Sequence, residues 1–149
     1  NIHLTLRFLG NVTSRQMALI MPRLAEIANE VPEFEMSLTH VGAFPNLNWP
    51  RVLWIGLKNT DHSLERLQKK VENQICESGF QPETKKFNPH LTFARIKSSR
   101  GKELLKKKVQ SFPDTCAQAI EVFAIKLYKS KLTPKGSIYT VLESFALKN

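Results

Sequence analysis

Two five-residue stretches, Asn1-Ile2-His3-Leu4-Thr5 and Asn88-Pro89-His90-Leu91-Thr92, carry Asn, His, Leu and Thr at the same places. Each lies in an apolar-rich run that reads as a strand. Each is also followed by a predicted helix and then two strands, so the repetition extends to the order of elements. A chain built this way is expected to fold as two related halves that face each other. Side chains alternate along a strand, so His and Thr at i and i+2 share one face and the Leu between them takes the other. Leu4 and Leu91 then anchor in the interior, while His3, Thr5, His90 and Thr92 face a cleft.

The remaining elements follow from periodicity and punctuation. Ile2 to Leu9 reads as a strand ending at Gly10-Asn11. Thr13 to Gln16 fits a capping box, and Met17, Ile20, Met21, Leu24 and Ile27 recur at helical spacing over residues 14–29. Pro22 falls inside that stretch and is expected to kink or split it. Phe34 to Val41 and Arg51 to Leu57 predict strands joined by a turn-rich loop, Gly42 to Pro50. Asp61 is placed to cap a helix whose stripe is Leu64, Leu67, Val71 and Ile75 and whose end is Gly79. Phe87 to Ile96 predicts a strand and Lys102 to Gln110 a short basic helix. Ile120 to Tyr128 and Ile138 to Leu147 predict two closing strands around Pro134-Lys135-Gly136. The class is α+β with mostly antiparallel pairing, and no linker divides residues 1–149, so one domain is expected.

Composition narrows the function classes. With 149 residues, 42% of them hydrophobic, the chain can bury a real core. No apolar run approaches the ~20 residues that a membrane crossing needs, and the expectation is a soluble, cytoplasmic monomer. Cys76 and Cys116 are too few and too far apart for a disulfide framework or a zinc site, and read as buried free thiols. The net charge of +9 favours polyanionic partners such as RNA. Four histidines raise the question of a metal, but none of their spacings matches a ligand pattern, and no metal is expected. No phosphate-cradling Gly-Lys-Ser loop or dinucleotide fingerprint occurs, so no cofactor is expected either.

Two imidazoles and two hydroxyls around one small space suit phosphate chemistry. Opening a cyclic phosphodiester by in-line attack needs a base on the water and an acid on the departing ribose oxygen, and imidazole titrates near neutrality and serves in either role. Threonine hydroxyls donate to the non-bridging oxygens, where charge builds. His40 and His62 lack this context and read as ordinary histidines. The rival class is a catalytically idle RNA-binding module, supported only by net charge and by Lys106-Lys107-Lys108, a run that reads more simply as a solvated helix face.

At these residues the chain resembles the 2H phosphoesterases, in particular the RNA 2′,3′-cyclic phosphodiesterase family, also called LigT-like or 2′-5′ RNA ligase proteins. The likeness runs through Asn1 to Gly10, Val41 to Pro45, Pro50 to Gly56, Pro89 to Arg95 and Leu127 to Ser130, in family order. The resemblance implies a bilobal fold with two antiparallel sheets around a central cleft and helices outside. It also implies hydrolysis of RNA 2′,3′-cyclic phosphate ends to 2′-phosphates, or action on related 2′-5′ linkages. Catalysis would fall to His3 and His90, phosphate binding to Thr5 and Thr92, and substrate contact to Arg95. Family members usually carry a strand and a helix ahead of the first motif, so the chain is expected to be a single 2H phosphoesterase domain without them.

Overall fold

A computed structural model describes residues 2–113, 116–134 and 136–149, the side chains of 116–118 excepted. The elements run α1 (Ser14–Glu30), β1 (Phe34–Phe44), β2 (Val52–Lys58), α2 (Ser63–Glu77), β3 (His90–Arg95), α3 (Lys102–Gln110), β4 (Cys116–Val122), β5 (Ala124–Thr133) and β6 (Gly136–Ala146). One antiparallel sheet has the order β3-β2-β1-β4, and β5 and β6 form a second, two-stranded sheet.

Helix α1 begins as its sequence dictates. The Thr13 hydroxyl accepts from the Gln16 amide at 3.2 Å, and the Gln16 side chain accepts from the Thr13 amide at 3.0 Å. Pro22 lies inside the helix on an exposed position, and of the expected kink or split the split does not occur. The carbonyl that loses its helical donor belongs to Ala18, an exposed residue, and burial of Ile20, Leu24, Ile27 and Ala28 holds both halves of the helix to one core. That core is completed by Leu67, Val71 and Ile75 of α2, Ile125 of β5 and Leu147. A smaller cluster of Met36, Leu57 and Leu64 lies under the four-stranded sheet, with Leu4 and Leu91 packed against it as the alternation requires. Asp61 does not take the cap position of α2 but stands one residue before it. His62 takes that position in the left-handed conformation (φ 58°), and the Asp61 carboxylate accepts from the Ser63 amide at 3.1 Å and the Ser63 hydroxyl at 2.6 Å. Hydrogen bonds to Ser63 hold the Asp61 carboxyl below its ordinary range.

Two strand predictions need correction. The run predicted as one strand from Ile120 to Tyr128 breaks at Phe123: β4 pairs with β1 in the first sheet, whereas β5 starts the hairpin of the second. An apolar run does not reveal where a chain changes partner, because both sides bury the same kind of residue. The predicted strand Ile2 to Leu9 pairs only at Leu4, through a single antiparallel bridge to Leu91. A strand is defined by its ladder, and this segment is held at one rung and by side chains. Strand β1 continues to Phe44, beyond the predicted Val41. The Pro134-Lys135-Gly136 turn falls partly outside the described residues, at Lys135.

Gly42 has a steric role in this sheet. It pairs with Trp54 of β2, and a Cβ on Gly42 would lie 2.3 Å from the indole ring. The ring fills the space that a side chain would take and is only 8% exposed. Gly42→Ala is expected to cost about 1–3 kcal/mol by overpacking, read as a lowered unfolding midpoint in urea; a wild-type midpoint would show that the indole moves aside freely.

Candidate active site

The single bridge between Leu4 and Leu91 sets how the two motifs meet. An antiparallel register through that pair puts His3 beside Thr92 and Thr5 beside His90, about a local twofold axis. Both leucines turn to the interior, so the two histidines and two threonines share the opposite face. All four line one cavity of about 470 Å³. Diagonal neighbours in such a pair have side-chain roots roughly 7–8 Å apart, a gap that one phosphate flanked by two imidazoles can fill.

Arg95 reaches the same cavity through an irregularity in β3. Trp54 pairs with Thr92 but Leu53 pairs with Ala94, which leaves Phe93 as an extra residue. A bulge of this kind shifts the alternation by one. Arg95, which regular alternation would turn away from His90 and Thr92, instead lies opposite Val52 on their face, and both line the cavity. No carboxylate lines the cavity among the described residues, and Arg95 is the one Arg or Lys there, an arrangement suited to an anion.

The two rings have different aromatic neighbours. His90 Nδ1 lies 2.7 Å from the Asn88 carbonyl oxygen. A carbonyl only accepts, so Nδ1 carries the proton, and a neutral ring then keeps its lone pair on Nε2. Phe44 meets the ring edge-on at 5.0 Å, with Trp54 at 6.0 Å. His3 packs against two tyrosines of the hairpin, Tyr139 at 4.9 Å and Tyr128 at 5.9 Å. A second bulge places them. Leu127 pairs with Glu143 while Tyr128 pairs with Val141, so β6 slips by one and Tyr128 and Tyr139 share the face opposite Ile125 and Leu127. Tyr139 and Ser137 complete the cavity wall on that side. Sequence reasoning missed Phe44, Trp54, Tyr128 and Tyr139 as site residues. The available signal was that the chain has only two tyrosines and both fall on the closing hairpin.

His40 and His62 do not line the cavity. The first packs on Trp54 and the second is exposed at the start of α2. Cys76 is a half-buried free thiol, pushed up in pKa by desolvation and by its hydrogen bond to Glu72, while the Cys116 side chain lies outside the described residues. Among the described residues, no three His, Cys, Asp or Glu side chains gather at metal-binding distance, and no helix is long and apolar enough to cross a membrane.

The fold is shared with solved structures of this architecture. The chain superposes on TT0787 of Thermus thermophilus with a TM-score of 0.78 at 27% identity, covering 99% of this chain and 78% of that one. For Escherichia coli LigT complexed with 3′-AMP the TM-score is 0.77 at 27% identity, covering 100% and 78%. The chain belongs to the 2′-5′ RNA ligase superfamily, whose profile matches residues 2–130. It is 40% identical over 142 residues to an RNA 2′,3′-cyclic phosphodiesterase of Aeropyrum pernix, covering 95% of this chain and 80% of the relative. Identity to the enzyme of that name from Methanocaldococcus jannaschii is 35% over 148 residues, covering 97% and 80%.

A clamp fixes the segment that carries His3. The Arg7 guanidinium, 10% exposed, meets Glu72 of α2 at 3.0 Å and Glu83 at 2.9 Å, and also donates to the Gln81 carbonyl. The amide of Lys85, and then Arg7, hold the Glu83 carboxyl below its ordinary range. A depressed carboxyl contributes stability above its unfolded pKa and loses it as pH falls through the folded value. Arg7→Ala, which removes the cation between Glu72 and Glu83, is expected to cost about 2–3 kcal/mol in urea unfolding at neutral pH, and Glu83→Gln to flatten part of the acid-side loss. A neutral Arg7→Ala would mean that the clamp carries no net stability.

Proposed function

We propose that the chain hydrolyses the 2′,3′-cyclic phosphate ends of RNA to 2′-phosphates, with His3 and His90 as the acid–base pair. The observation that carries this reading is the apposition of both His-x-Thr motifs on one cavity wall through the Leu4–Leu91 bridge. His90 Nε2 takes a proton from water as its oxygen attacks phosphorus. The P–O3′ bond breaks on the far side, and His3 gives its proton to the departing O3′. The orientation of His90 by Asn88 supports the role of base, since the nitrogen left for the water is the one with the lone pair. Thr5 and Thr92 donate to the non-bridging oxygens, and Arg95 pairs with the phosphate as charge builds. The protein acts as a cytoplasmic monomer and needs neither metal nor cofactor for this step.

Replacement of either histidine by alanine is expected to lower kcat by about 10²–10⁴-fold on the natural cyclic phosphate. The roles separate on an activated 2′- or 3′-aryl phosphodiester, whose leaving group needs little protonation. His3→Ala recovers much of its loss there, whereas His90→Ala stays impaired on both substrates. The reverse pattern exchanges the roles, and equal losses on both would reduce the rings to phosphate ligands.

A further inference from the structure

A second hollow, of about 240 Å³, lies between the loop that leads into β2 and the segment that follows β3. Val52 and Arg95, a cross-strand pair, line the active-site cavity, and the next residues outward, Arg51 and Ile96, line the second. Trp49 stands over it, 66% exposed, with Lys102 Nζ 4.0 Å from the ring centre. Arg51, Lys97 and Lys102 line the hollow, which has no carboxylate among its described lining residues. The loop is held in shape. Asn46 Oδ1 accepts from the amides of Asn48 and Trp49 at 2.9 and 3.1 Å, the Arg51 amide donates to the Phe44 carbonyl at 2.8 Å, and Lys106 of α3 donates to the Asn48 side chain at 2.7 Å.

An exposed indole on a hydrogen-bonded loop, with basic side chains around it and lying one residue along β2 and β3 from residues of the first cavity, matches the way single-stranded nucleic acid is held: bases on aromatic faces, phosphates on basic side chains. We propose that this hollow is the platform for the RNA chain that ends in the cyclic phosphate. A base on the 5′ side of the reacting phosphate stacks on Trp49, Arg51 and Lys97 meet the backbone phosphates, and Lys102 backs the ring. The inference depends on the reaction proposed above for its orientation, because the cyclic phosphate is a 3′ end and the remaining chain must leave on the 5′ side.

The test compares a short 2′,3′-cyclic-ended oligonucleotide with 2′,3′-cyclic AMP, which is too short to reach the platform. Trp49→Ala is expected to lose roughly 5- to 20-fold in kcat/KM on the oligonucleotide, through KM, and nothing on the mononucleotide; Trp49→Tyr restores most of the loss. Lys97→Glu is expected to weaken the oligonucleotide and flatten its salt dependence. Unchanged oligonucleotide kinetics in Trp49→Ala, or an equal loss on both substrates, overturns the platform. If the wild type opens neither substrate, the failure belongs to the proposed reaction. The platform is then judged by fluorescence anisotropy with a labelled single-stranded RNA: weaker binding by Trp49→Ala upholds it, and equal binding overturns it.

Discussion

The site depends on one rung of backbone pairing, Leu4 to Leu91. Strand alternation converts that rung into chemistry: the leucines go inward, and each histidine is set beside the threonine of the other motif. The rest of the structure serves to hold the rung. The α1–α2 core supports one side, the Arg7 clamp ties the first motif to α2, and β2 registers the second motif within the four-stranded sheet. Because the pair is antiparallel, the two motifs are related by a local twofold axis, yet their surroundings differ. One ring packs on tyrosines and the other on Phe44 and Trp54.

Much of this was legible in the sequence because its causes are local. The capping box at Thr13, the stripe Leu64–Leu67–Val71–Ile75 and the basic helix Lys102–Gln110 follow from short-range patterns. The inward and outward residues of the two motifs follow from alternation alone. The change of sheet at Phe123 and the pairing of Ile2 to Leu9 at Leu4 only were not legible, because both depend on which distant strand is available.

The two bulges were the costliest omission for reading the site. Regular alternation puts Arg95 on the wrong face, three residues after Thr92, and turns the upper half of β6 away from His3. The extra residue at Phe93 and the slip opposite Leu127 reverse both outcomes. Neither carries a glycine or other local mark. Resemblance to a known family singled out Arg95, and only the strand register explains how its side chain comes to face the cavity. The aromatic lining was missed for a related reason: Phe44 and Tyr139 become neighbours of the histidines only after β1 and β6 have found their partners.

In the proposed reaction two histidines, unaided by metal, open a cyclic phosphate with departure of O3′. Phosphorus NMR of the products from a 2′,3′-cyclic-ended oligonucleotide, followed in time with and without EDTA, tests it most directly. A single 2′-phosphate product, formed at the same rate in both samples, is expected. A 3′-phosphate product, or activity that vanishes with the chelator and returns with a divalent ion, would contradict it.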